Sequence, residues 1–346
     1  MREKFPRGII VSAVLLSVLA MQICAFAATW VGGQSDDWND SANWSPVTLP
    51  SSGDAVGIGT SKTNYWPVIY DNHYNGSAIV PGADAQGFNA YCGLLSMSEL
   101  SGYSQLTFDG GVLSMSTNSY AMVGRHTGDN ALLTIEGGGI GRYESGTVYG
   151  ATRWLRIGRG DSTGGGLGTM IMNGGKVYAQ AMSVGNPDGT GDVGSSATIN
   201  DGAQLYAGCN YVEASFDIGP TASMTINPGG LMKLVQDTTG RLTGDAQSKN
   251  AYVKAMGALN IVADGSGSGT VIVPAWIASV ADLENYFGYD DGGTFVGGNV
   301  NAIYNGGAGT FVFNPTGLYT EITVIPEPAS MLLLGLGGLA LIHRKR

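Results

Sequence analysis

One short string recurs along the middle of this 346-residue chain and limits the folds open to it. It reads LTFDGG at 106–111, LTIEGG at 133–138, MIMNGG at 170–175, ATINDG at 197–202 and MTINPG at 224–229. The third residues, Phe108, Ile135, Met172, Ile199 and Ile226, are separated by 27, 37, 27 and 27 positions. The long interval is one unit plus ten residues, with the insertion placed between Ile140 and Trp154. A second landmark keeps step with the first: MVG at 122–124, RIG at 156–158, SVG at 183–185 and DIG at 217–219. A fixed period of this size means that each unit buries its apolar face against its neighbours, coil upon coil.

The strings also say what each unit is made of. In LTI and MTI the first and third side chains point inward and the threonine outward, which is the period of a strand. The glycines supply corners, and no unit carries a helical run long enough for a βαβ crossover. The expectation is an all-β chain folded as a right-handed parallel β-helix, a β-solenoid with coils ~4.8 Å apart. After each inward third residue stands Asp109, Glu136, Asn173, Asn200 or Asn227. Stacked at one corner, the three asparagines form an amide ladder.

The repeats resemble those of autotransporter-like and pectin-lyase-like β-helix proteins. Residues 28–91 open with TWVGGQSDDWNDSANW, in which Trp30, Trp38 and Trp44 are spaced by eight and six. That segment is similar to the opening of many exported bacterial β-helix proteins and implies a tryptophan-stoppered cap. The expected division is a signal peptide at 1–27, a Trp-rich N-terminal cap at 28–91 and β-helix repeats at 92–236. A C-terminal β-rich cap at 237–325 and a sorting tail at 326–346 follow. Within the C-terminal cap, 280–287 reads as a helix, and 309–313 and 319–325 as strands.

The two ends carry addresses. Arg2, Lys4 and Arg7 precede an apolar run, and Ala25 and Ala27 supply the small residues that signal peptidase needs for cleavage after Ala27. At the other end Pro326, Glu327 and Pro328 are followed by 14 apolar residues, Ala329 to Ile342, and a basic tip of Arg344, Lys345 and Arg346. Prolines on both sides of the glutamate hold the backbone extended. As a helix the apolar stretch reaches about 21 Å, short of the roughly 30 Å hydrocarbon core. The expectation is a C-terminal transmembrane sorting helix, inserted transiently in the inner membrane with its basic tip inside.

Triplet, helix and basic tip in that order resemble the PEP-CTERM family over the last 22 residues. The resemblance implies recognition by a membrane exosortase and delivery to the cell surface or the extracellular matrix of a Gram-negative-type bacterium that makes exopolysaccharide. Exopolysaccharide is thus the implied matrix partner.

Of 17 basic and 27 acidic residues, 11 and 25 remain once the two ends are removed, a net charge near −14. Such a balance excludes nucleic acid as a partner. Cys92 and Cys209 remain as well, 117 residues apart, with no spacing that fits a zinc motif or argues for pairing.

The strongest candidate ligand face follows the second landmark. Arg125 and Asp129, then Arg159 and Asp161, occupy equivalent corners of adjacent units, and the arginines suit an acidic sugar. Asp129, Asp161, Asp188 and Asp192 offer oxygens for calcium between coils, a weak signal because NPDGTGD lacks EF-hand spacing, and no other cofactor is expected. His73 and His126 have no HExxH or cysteine partner, and no nucleophile elbow or phosphate loop is present. No catalytic and no metal-binding residue is assigned. The reading is a non-enzymatic scaffold or adhesin; the alternative is a polysaccharide-binding or polysaccharide-cleaving β-helix enzyme using the Arg125/Arg159 face with calcium.

Overall fold

The computed structural model describes residues 28–59, 65–71, 88–97, 102–116, 119–144, 147–159, 165–186, 193–207, 215–234, 252–291 and 294–327. Among them the chain is all-β, with a single α-helix. Short strands of alternating apolar and polar residues, separated by glycines, recur through the sequence. They settle into three columns in which each strand pairs, parallel and in register, with its counterpart from the neighbouring units.

The first column stacks eight strands: Val68–Tyr70, Gly102–Asp109, Asp129–Ile135, Leu167–Met172, Ser196–Ile199, Ser223–Ile226, Ala258–Asp264 and Val300–Tyr304. Phe108, Ile135, Met172, Ile199 and Ile226 lie opposite one another in that order, and Ile69 and Ile261 extend the row at its ends. At ~4.8 Å per step, eight strands cover about 34 Å.

The second column holds Ala90–Cys92, Val112–Met115, Gly139–Ile140, residues 176–179, Gln204–Ala207, Leu231–Leu234 and Thr270–Pro274. The third holds Ala28–Trp30, Ala55–Ile58, Leu94–Met97, Tyr120–Val123, Thr152–Ile157, residues 181–184, Ser215–Ile218 and Tyr252–Ala255. From Val68 to Val300 the chain visits the columns in turn, except where it leaves for insertions. One such excursion is the antiparallel hairpin Arg142–Glu144 with Thr147–Tyr149, which absorbs seven of the ten extra residues; the other three fall after Ile157 and before Leu167, not between Ile140 and Trp154 as expected.

The core is the space between the columns. Leu133, Ile135, Leu155, Ile157, Met170, Met172, Val177 and Leu205 are all excluded from solvent. Each such side chain contributes roughly 1.5–3 kcal/mol by leaving water. Glycine is obligatory where coils cross closely at a corner: Gly138 has φ +67° and an added Cβ would run into the carbonyl oxygen of Gly111. At the opposite corner Gly158, at φ +71°, leaves the space that the Ser195 hydroxyl fills. That buried hydroxyl accepts from Gly168 N at 3.1 Å and donates to Gly166 O at 3.3 Å.

Both flanks contribute strands to the columns. At the N-terminal end Trp30, Trp38 and Trp44 are buried and packed edge to face, with Trp44 centred 5.1 Å from Trp30 and 4.7 Å from Trp38. The Trp44 indole donates to Trp38 O and the Trp30 indole to Tyr65 O, both at 2.8 Å. Strand Trp44–Ser45 pairs antiparallel with Ala28–Trp30 and turns the outermost strand away from further stacking.

At the other end the parallel order gives way to an antiparallel group, Thr270–Pro274 against Tyr319–Pro326 and Tyr319–Pro326 against Gly307–Pro315. Helix Val280–Tyr286 starts at Ser279, whose side chain accepts from Asp282 N. Phe287 follows the helix, packs on Phe216 and accepts through its carbonyl from Ala255 N.

Among the described residues no helix is long and apolar enough to cross a membrane. The sorting helix expected over 329–342 and the signal peptide at 1–27 lie outside the described residues.

Candidate functional site

The repeat corner behaves as its residues require. Asn200 donates to Asn173 at 2.7 Å and Asn227 donates to Asn200 at 2.6 Å. Asn173 in turn donates to both carboxylate oxygens of Glu136, at 3.0 and 3.1 Å. Every amide points its N–H group toward the N-terminal end, and the chain of dipoles finishes on a carboxylate, where a charge-assisted bond is strongest. A second ladder runs along the later coils, with Asn301 donating to Asn260 at 3.1 Å. These solvent-facing polar rows carry the stacking of the coils.

The face singled out in the sequence takes a different form. Asp129 is buried and works locally: its carboxylate accepts from His126 N at 2.8 Å while its own N–H donates to His126 O at 2.9 Å. Arg125 is half-buried one unit before Arg159, since Val123 lies opposite Ile157. Asp161, Asp188 and Asp192 lie outside the described residues, as does Cys209. Among the described residues no group of three or more His, Cys, Asp or Glu side chains is placed to hold a metal ion. Cys92 is a free thiol, fully buried, and burial raises its pKa.

Arg159 reaches across two coils. Its guanidinium lies 3.2 Å from the Oδ2 atom of Asp217, 58 residues later in the chain, and 5.2 Å from the centre of the Trp154 ring. Asp217 was not anticipated, although the landmark alignment contained it. Arg156, Ser183 and Asp217 are the first residues of RIG, SVG and DIG, and the third column sets them opposite one another in sequence, with Lys254 next. They point away from the core, yet Ser183 and Asp217 are buried under their neighbours.

Burial pushes the Asp217 carboxyl up to about 6, against the opposing pull of Lys254 and Arg159. Its Oδ1 atom has no hydrogen-bond partner, nor does Oε1 of Gln180, the residue between the second and third columns. Arg156 lies over Tyr120 at 4.7 Å and near Trp154 at 5.4 Å. Tyr178 and Tyr206 stack on each other at 4.7 Å, and Tyr103 packs edge-on to Trp66.

The tail begins inside the fold. Pro326 is the last residue of strand Tyr319–Pro326 and lies opposite Gly309; Glu327 follows at once. Pro328, Arg344, Lys345 and Arg346 lie outside the described residues. The family model described as the PEP-CTERM protein-sorting motif matches residues 324–346, taking in the triplet and the basic tip. The motif implies export, sorting to the cell surface and an exosortase as processing partner. None of the curated proteins and none of the solved structures matches the chain.

Proposed function

We propose that this chain is a non-enzymatic surface or matrix protein whose three columns form a right-handed parallel β-helix serving as a scaffold or adhesin in exopolysaccharide. The observation that carries the reading is the use made of the polar rows. The Glu136–Asn173–Asn200–Asn227 ladder holds coil to coil, Asp129 closes its own turn, and Arg159 is tied to Asp217. The right hand follows from the general preference of parallel crossovers. Signal peptidase would release the chain at Ala27, and the tail would hold it in the inner membrane until the exosortase acts.

Cell fractionation tests this. The wild-type chain is expected with the surface polysaccharide, and a chain with Glu327→Ala is expected in the membrane fraction. Wild-type protein that never leaves the membrane, or an unchanged distribution of the variant, sinks the proposal.

A second reading, a polysaccharide-binding or polysaccharide-cleaving enzyme, draws on the buried carboxyl of Asp217 beside Arg159, since perturbed acids gather at working sites. Chain cleavage of an acidic polysaccharide, with or without calcium, that is lost in Arg159→Ala would decide for it.

A further inference from the structure

The match to the sorting motif begins at Val324, before the triplet, and its first residues are not free chain. Val324, Ile325 and Pro326 end the strand Tyr319–Pro326 and lie opposite Phe311, Thr310 and Gly309. Val324 is held hardest. Its side chain is buried, and its N–H donates to the Ser268 hydroxyl at 2.9 Å. An added Cβ at Gly309 would come within 2.5 Å of the Val324 side chain, so the two strands close tightly there. Beyond Val324 the grip weakens. Ile325 is 46% exposed, and Pro326 has no N–H to give to a ladder. The partner strand on the other side, Thr270–Pro274, pairs no further along than Ile322.

We propose that this strand end is a latch on the sorting signal: the processing enzyme reads the signal only while Val324–Pro326 is peeled from Gly309–Phe311. The inference rests on the sorting role proposed above. A peptide read by its backbone is taken extended, with its main-chain groups bonded to the reader. In the folded body the edge of Val324–Pro326 is already given to Gly309–Phe311. The two pairings compete for one set of backbone groups, and the ladder must open first.

Peeling starts at Pro326, which lacks a donor, passes the exposed Ile325 and meets its resistance at Val324. Strand ends open and reclose more readily than cores, and a slow reaction on the open form runs at a rate set by its population. Tail removal is therefore slower from a body whose C-terminal cap has formed than from one whose cap has not. The Ser268 hydroxyl sets that delay without touching the enzyme's recognition motif, since residue 268 lies outside the match.

The test follows the full chain by pulse–chase in its native host, reading conversion of the tail-bearing form to the shorter one. Thr310→Cys with Ile325→Cys places two thiols directly opposite each other, and diamide closes them into a staple across the strand end. Conversion is expected to slow by about tenfold or more and to recover with dithiothreitol. Ser268→Ala removes the acceptor of Val324 N–H and is expected to speed conversion about fivefold. Ser268→Thr, which keeps the hydroxyl, is expected to restore the wild-type rate. A stapled chain converted at the wild-type rate, or a rate unchanged by Ser268→Ala, overturns the inference. Should Ile325→Cys alone block conversion, the Ser268 pair decides; should Ser268→Ala lose the protease resistance of the body, the staple decides. A wild-type chain that is never converted defeats the proposed function. Normal conversion that ignores both variants defeats this inference alone.

Discussion

Replacing Asp217 by asparagine should make the protein more stable at neutral pH. The carboxyl is 6% exposed, and only one of its oxygens is engaged, by Arg159 at 3.2 Å. In the unfolded chain it titrates near 3.8 and in the fold near 6, so between these values the folded state holds the extra proton. Stability from this group is therefore fully present below pH 3.8 and is lost as pH rises through 6. A difference of about two units corresponds to about 3 kcal/mol.

Asp217→Asn removes the charge and keeps an acceptor for Arg159, which is itself 23% exposed and can stay hydrated. The variant should gain about 1–3 kcal/mol at pH 7.5, up to the amount by which burial disfavours the charged carboxylate. Guanidinium titrations at pH 5.0 and 7.5 provide the assay. The wild type is expected to be the more stable at pH 5.0, with the variant losing most of that difference. Parallel pH profiles for the two proteins, or a variant less stable at pH 7.5, would refute the reasoning.

Other sites give distinct outcomes. Arg159→Ala leaves Asp217 without its partner and should cost about 2–3 kcal/mol at pH 7.5, less at pH 5.0, in the same titrations. Asn200→Leu removes two ladder bonds, 2.7 and 2.6 Å long, and should lower the urea midpoint by the equivalent of about 1–2 kcal/mol. Asn200→Asp should be worse at pH 7 than at pH 4, because its carboxylate would face the Asn173 amide oxygen. Trp44→Ala opens a cavity between two other tryptophans and should cost about 3–5 kcal/mol, followed by circular-dichroism melting.

The register of the first column was legible because an inward position must be apolar in every coil. Phe108, Ile135, Met172, Ile199 and Ile226 declare it at intervals that survive a ten-residue insertion. The asparagine ladder was legible for the same reason, as the next residue inherits the same spacing. Val68–Tyr70 and Ala90–Cys92 escaped notice because they carry no Gly-ended landmark and lie among irregular intervals. The Arg159–Asp217 pair was hidden for another reason. A long side chain that skips a coil obeys reach, not period, and only the stacked alignment of RIG, SVG and DIG hints at its partner.

The shared position of Pro326, at once the end of a strand and the first residue of the sorting triplet, has a mechanical consequence. Any tension on the tail enters the body along the axis of Tyr319–Pro326. That strand is gripped on one side by Gly307–Pro315 and on the other by Thr270–Pro274, both antiparallel to it. A pull along the axis loads these ladders in shear, many bonds together, where a sideways pull would open them one at a time like a zipper. While the tail is held in a membrane, the body is gripped at its strongest seam.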